Sequence, residues 1–299
     1  MDINTLSGYL KKRFGEKIYK LSLSSGCTCP NRDGSAGYGG CIFCSEGGSG
    51  DFAQPFMPVK EQINNAKKLV DDKFPGKTSA KDRKYIAYFQ SFTNTYGDPD
   101  KLYTIFKEAA MEPEIAAVSI ATRPDCIQDD ILEMLLKLKQ IKPVWIELGL
   151  QTVSDDTARL INRCYETSVF EKTYHRLKEN GFEVIIHLIF GLPGENEEMM
   201  LKSVRYVSDL EPHPDGIKLQ LLHILKNTKL AEDFEQNPFH ILSLDEYTDL
   251  LIKALEIIPK DIVIHRLTGD GPKNLLIEPL WSADKKKVLN HINKAIRDH

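Results

Sequence analysis

The sequence predicts an α/β protein, a partial (β/α)6 barrel of the TIM type followed by a C-terminal α/β extension. Three observations predict it. Short apolar runs rich in β-branched residues recur about every thirty residues, each run is followed by a stretch of helical periodicity, and the unusual residues gather where the runs end.

The strands are expected at 18–23, 85–89, 117–121, 144–148, 184–190 and 216–222, with helices such as 59–72, 129–139 and 197–210 between them. Beyond about residue 226 the pattern gives a helix near 245–258, a short strand at 262–265 and a last amphipathic helix. In that helix Val288, Leu289, Ile292, Ala295 and Ile296 repeat at helical spacing, as a helix docked over the open side of a barrel requires. The expected division is 1–225 for the barrel with its N-terminal helix and 226–299 for an extension packed on it.

Bulk properties narrow the function classes. With 299 residues and 41% apolar content the chain can bury one large core. No apolar run approaches the roughly twenty residues a bilayer span needs, and the N-terminus lacks a secretory pattern, so a cytoplasmic protein without a membrane partner is expected. Net charge is −4, yet residues 1–20 and 281–299 each carry five Lys/Arg against two acids. Such basic ends are ordinary solvated helix faces or contacts for a polyanion such as RNA.

Polar and glycine residues follow the strand ends. Cysteines follow strand one, Phe92-Thr93-Asn94-Thr95 strand two, Thr122-Arg123-Pro124-Asp125 strand three, Gly149-Leu150-Gln151 strand four and Gly191-Leu192-Pro193-Gly194-Glu195 strand five. In a parallel barrel the carboxyl ends of the strands share one face, and that face carries the chemistry. Four of the six cysteines fall between Cys27 and Cys44, too crowded and too few for a disulfide scaffold, so metal is the expectation. Cys29, Cys41 and Cys44 on a glycine-rich loop could hold an iron-sulfur cluster with one open position; with Cys27 as a fourth ligand, a closed structural zinc fits as well. The single residue between Cys27 and Cys29 makes it awkward for both to reach one metal.

The run Cys29-Pro30-Asn31-Arg32-Asp33-Gly34, then Gly39-Gly40-Cys41 and Phe43-Cys44, resembles the YhcC-like (YtqA-like) family of radical S-adenosylmethionine (SAM) proteins. The likeness extends through Phe89-Gln90, Thr93 to Tyr96, Ala121 to Asp125, Glu147 to Gln151 and His187 to Glu195. It implies a [4Fe-4S] cluster on Cys29, Cys41 and Cys44, with Cys27 a bystander. It also implies SAM bound among Phe43, Gln90, Thr93, Asn94, Thr122, Arg123, Glu147, Gln151, Arg163, His187 and Gly191. Gln151 and Arg163 are spaced as in the related oxygen-independent coproporphyrinogen oxidases, where the matching pair contacts SAM.

Cys126, after strand three, is the candidate catalytic hydrogen-atom donor, or else a buried bystander. Cys164 and Tyr165 depart from the family pattern, which more usually has a small residue and histidine there. Lys218, Gln220 and His223 alternate along strand six toward a substrate or a wet interior.

The family's likeness to the Elongator catalytic subunit implies a tRNA partner, modification of a wobble-uridine side chain from 5-carboxymethylaminomethyluridine to 5-aminomethyluridine, and an electron donor such as flavodoxin or ferredoxin. A small-molecule substrate and a zinc-stabilised binding module are the competing readings.

Overall fold

Strand and helix alternate into a seven-stranded parallel sheet in the computed structural model, which describes residues 1–48, 50–74, 78–79 and 82–299. Its strands are β1 (Tyr19–Leu23), β2 (Tyr85–Phe89), β3 (Ile115–Thr122), β4 (Val144–Gln151), β5 (Glu183–Phe190), β6 (Gly216–Leu221) and, after the short β7 (Ile224–Leu225), β8 (Val263–Arg266). They pair in sequence order, with β8 beside β6. The short strand expected near 262–265 is therefore the seventh strand of the sheet, and the expected partial barrel carries one strand more than six. A separate antiparallel pair joins β7 to β9 (Leu276–Glu278).

The helices are α1 (Leu6–Phe14), α2 (Val59–Lys68), α3 (Pro99–Met111), α4 (Asp129–Lys139), α5 (Asp155–Leu160), α6 (Thr167–Glu179), α7 (Glu197–Ser208), α8 (Lys229–Gln236), α9 (Leu244–Ile257) and α10 (Lys285–Asp298). Among the described residues none is long and apolar enough to cross a membrane. α2 ends earlier than its periodicity suggests, and a 3-10 turn at Asp71–Lys73 takes over. α10 packs on α9 through Val288, Ile292 and Ile296, and the Met1 ammonium donates to the Ile296 carbonyl.

Strand side chains alternate between two faces, and the two faces have different jobs. Outward residues such as Leu21, Ile120, Ile146, Ile186 and Leu219 meet the helices in the main core. Inward residues form three tiers, as barrel interiors do. The lowest is apolar: Ile86, Ala117, Trp145 and Ile185 pack against Leu10 of α1, which plugs the amino end of the barrel. The middle tier is polar, with Lys20, Tyr88, Ser119, Glu147, His187, Lys218 and Arg266. Above it Gln90, Ala121, Gly149, Ile189 and Gln220 open toward the strand-end loops.

Helix ends are closed by side chains. α9 carries a full capping box, Ser243 accepting from Glu246 N–H while Glu246 accepts from Ser243 N–H. Ser243→Ala is expected to lower unfolding free energy by about 1 kcal/mol, read from urea melts, without changing the strand network.

Candidate active site

One cavity of about 240 Å³ joins the cysteine loop to the polar tier. Cys29, Cys41 and Cys44 all line it. The loop reaches this place through a chain of backbone and side-chain bonds. Gly40 N–H donates to the Asn31 carbonyl, Ile42 N–H to the Ile161 carbonyl, and Asn162 Nδ2 reaches the Gly40 carbonyl at 2.7 Å. Arg32 donates to the Ser45 and Glu46 carbonyls and lies over the Phe92 ring. Gly37 is required by close approach, because a Cβ there would stand 2.4 Å from Asn31 Oδ1 and 2.7 Å from Cys164 Sγ.

The donor set fits an iron-sulfur cluster. Cys44 hydrogen-bonds to Cys41 and pulls its thiol down to about 7; burial opposes this, and Arg123, Asn31 and Arg163 assist. Cys44 is pushed well up by the same contact and by burial. Asn31 Nδ2 stands 3.7 Å from Cys41 Sγ, while its Oδ1 is buried without a hydrogen-bond partner. Among the described residues no three His, Cys, Asp or Glu side chains converge closely enough to share one metal ion. Cysteine thiols are the usual ligands of an iron-sulfur cluster, and three of them line this one cavity. Cys27 stays off the cavity, packed beside Gly97 against the main core.

Most residues singled out in the sequence meet in this cavity. Phe43, Gln90, Thr93, Thr122, Arg123, Glu147, Gln151, Arg163 and His187 all line it. Three do not. Asn94 is fully buried as a staple, Nδ2 donating to the Phe89 and Ala121 carbonyls and Oδ1 accepting from Ser25. Gly191 takes a left-handed turn and points its N–H at Met200 sulfur. Cys126 lines a second hollow with Pro30, Thr95 and Tyr96, and burial with the nearby Asp125 carboxylate raises its thiol pKa. The structure thus brings Cys126 to the flank of the cysteine loop and not into the chamber.

The arginines are already engaged. Arg163 is 1% exposed and donates to the Leu150, Thr152 and Tyr165 carbonyls. Arg123 forks onto Asp125 and gives its other nitrogen to the Arg163 carbonyl. Tyr165 lies under both guanidiniums and donates to the Gly149 carbonyl and Gln151 Oε1. Gln151 itself holds φ +64, strained for a residue with a Cβ, where the β4 register shifts.

Below them lies a network that sequence reasoning had only in part. Glu147, fully buried, accepts from Lys20 at 2.5 Å, from Ser119 at 2.6 Å and from Lys218, and bonds His187 Nε2 at 2.7 Å. Burial alone would raise its pKa, but Lys20, Lys218 and the His187 bond overcome that and hold it well below the usual carboxylate range. Burial and the neighbouring Lys218 push His187 down to about 4, so it is neutral at pH 7. Lys20, Tyr88, Ser119 and Arg266 were missed; the available signal was a polar side chain in the middle of a strand otherwise apolar enough to be buried on both faces.

Comparison with known proteins decides the family. The radical SAM superfamily pattern matches residues 26–207, and the radical SAM C-terminal domain matches 214–298. This chain belongs to the radical SAM superfamily. It is 42% identical to YtqA of Bacillus subtilis over 99% of its own length and 89% of that protein, and 33% identical to YhcC of Escherichia coli K12 over 99% and 93%. A YhcC/YtqA-like radical SAM enzyme follows, using a [4Fe-4S] cluster and S-adenosylmethionine as its superfamily does. A tRNA uridine(34) acetyltransferase of Methanocaldococcus jannaschii is 26% identical over 56% of this chain and 30% of that protein. The solved structure of Methanocaldococcus infernus Elp3 shares the fold with TM-score 0.65 at 18% identity, over 90% of this chain and 63% of that one.

Proposed function

We propose that this chain cleaves S-adenosylmethionine reductively in the cavity and uses the resulting radical on a tRNA wobble uridine, removing the carboxymethyl part of a 5-carboxymethylaminomethyl group as glyoxylate, with water supplying the aldehyde oxygen and SAM, the two-electron oxidant, leaving as methionine and 5'-deoxyadenosine. The observation that carries the radical reading is the lining of one cavity by Cys29, Cys41 and Cys44 together with the strand-end residues of β2 to β5. Cys29, Cys41 and Cys44 would hold the cluster. When bound, cluster and SAM supply a 5'-deoxyadenosyl radical, the electron coming from a donor such as flavodoxin or ferredoxin.

The chain's own residues then bind and shield. Phe43, Gln90, Thr93, Thr122 and Gln151 form the wall that would orient SAM. Arg123 and Arg163 act chiefly as braces, since carbonyls and carboxylates already take most of their donors. Glu147 stays ionised and His187 neutral, which offers a ring nitrogen to a ribose hydroxyl without adding a buried charge. Cys126, on the adjoining hollow, is left a supporting part beneath the loop.

Support for tRNA comes from the relatives whose names carry it, the tRNA uridine(34) acetyltransferases and Elongator protein 3, and from the basic α10. The test is anaerobic incubation of the cluster-loaded protein with SAM, dithionite and tRNA bearing 5-carboxymethylaminomethyluridine, followed by nucleoside mass analysis. Conversion to 5-aminomethyluridine with matching 5'-deoxyadenosine is the expected result. Deoxyadenosine without any change in tRNA would transfer the reading to a small-molecule substrate.

A further inference from the structure

The middle tier of the barrel is out of charge balance. Three cations meet there: Lys20 from β1, Lys218 from β6 and Arg266 from β8, the last two paired in register on neighbouring strands. A single buried carboxylate, Glu147, serves both lysines, at 2.5 Å for Lys20 and in closer contact for Lys218. Asp270 is the other acid at this end of the cavity, and it is already taken by Lys285 at 2.5 Å, leaving Arg266 at 3.8 Å, beyond hydrogen-bonding length. The nearby histidines carry no charge to weigh: burial lowers His187 and His223 to about 4 and pushes His265 well below its ordinary range.

Unbalanced charge in a place withdrawn from water is costly, and it is relieved either when a buried lysine gives up its proton or when an anion completes the set. The arrangement is accessible, because Lys218, Arg266, Gln220, His223 and Asp270 all line the cavity. It is also held in place. Lys218 donates to Tyr88 Oη at 3.0 Å, and both Lys20 and Lys218 lie over the Tyr88 ring. His223 bonds Ser282 at 3.0 Å and fills the space where a side chain at Gly269 or Gly271 would go.

We infer that this inner end of the cavity is a subsite for a carboxylate carried by the substrate, gripped by Arg266 and Lys218 with Lys20 behind them. A guanidinium presents two parallel donors that match a carboxylate, and the lysine adds a point charge from the adjacent strand. The subsite is distinct from the place where the methionine end of SAM belongs, one tier higher at the loop that carries the thiols. Lys218 itself reports the imbalance: burial, opposed by Glu147 and aided by Lys20 and Arg266, brings it down to about 7. The inference rests on the reading of this cavity as the reaction chamber, and it holds for an RNA-borne or a free carboxylate alike.

The experiment uses trifluoroacetate as the probe and the cluster-loaded protein with SAM bound, so that the SAM site is filled. Fluorine relaxation of the probe is measured against protein concentration in wild type, Arg266→Gln and Arg266→Lys. Saturable binding in wild type, weakened about tenfold or more in Arg266→Gln and only partly restored in Arg266→Lys, which keeps the charge and loses the fork, is the expected result. Binding that does not saturate, or that Arg266→Gln leaves unaltered, overturns the subsite.

A second arm compares anticodon stem–loops carrying 5-carboxymethylaminomethyluridine and 5-methylaminomethyluridine. Wild type should prefer the first, and Arg266→Gln should lose the preference. If neither RNA binds while trifluoroacetate behaves as expected, the carboxylate subsite stands with a small-molecule source and the tRNA reading falls. If both RNAs bind wild type equally, the tRNA reading survives and the subsite is overturned.

Discussion

Cys41→Ala is expected to abolish both cluster assembly and SAM cleavage. Reconstitution of the wild type with iron and sulfide should give about four irons per chain, because three thiolates complete a [4Fe-4S] site with one open position. In the variant two ligands remain, Cys29 and Cys44, and 5'-deoxyadenosine should fall to the level of a no-enzyme control. The informative companion is Cys27→Ala. Cys27 packs beside Gly97 and outside the cavity, so its loss should leave iron content and deoxyadenosine yield near wild type. Iron lost from Cys27→Ala would make Cys27 a fourth ligand, and zinc retained by the wild type through reconstitution would favour the closed four-thiol site that the sequence also admits.

How far this was legible before the fold was known differs between scaffold and site. Strands β1 to β6 announce themselves because their outward faces are continuously apolar, mostly Leu, Ile and Val with Tyr85, Ala87 and Phe89 in β2, against helices of matching period. The cysteine loop is legible for a similar reason, since its glycines and thiols have no use in a packed core. β8 was seen as a strand but not as part of the sheet, because its partner β6 lies some forty residues upstream and only the return of the chain brings Ile217 beside Ile264. The plug made by α1 was invisible too: Leu10 looks like any amphipathic position until Trp145 and Ile185 are placed beneath it.

The polar tier is the hardest case. Lys20, Ser119, Glu147, Lys218 and Arg266 come from five strands, and no local pattern ties them together. Each reads as an isolated polar residue in an apolar run. Arg163 shows another limit. Its distance from Gln151 along the chain suggests a SAM contact; in the structure both residues line the cavity, and between the left-handed turns at Asn162 and Cys164 the guanidinium donates to the carbonyls of Leu150 and Thr152. A sequence motif fixes which residues come near a site; whether a side chain faces the ligand or braces the loop is decided by those turns.

Glu147→Gln is expected to be the most damaging single change in the barrel that leaves its shape intact. The amide has the same volume, but Lys20 and Lys218 lose their shared counterion in a place where Glu147 is 0% exposed. Removing one partner of a buried ion pair costs about 3–5 kcal/mol, a large part of the stability of a single domain. The pH dependence carries the sign. Glu147 has a folded pKa held well below its ordinary 4.5, so its contribution is complete above that value and is lost as pH falls through the folded value. The wild type should therefore show an acid limb that the variant lacks.

On the alkaline side, Lys218 is lowered from 10.5 to about 7, so between these values the unfolded chain binds more protons and stability rises with pH. In Glu147→Gln the lysine sheds its proton more readily still, so the difference between the two proteins should shrink as pH rises through the wild-type value of about 7 and stay level above it. Urea unfolding at several pH values measures both limbs. Equal midpoints at pH 7 would mean that the tier is hydrated well enough to make the ion pairs energetically neutral. The excess positive charge on Lys218 and Arg266 would then need no anion, so this stability measurement also bears on the carboxylate subsite without using any ligand.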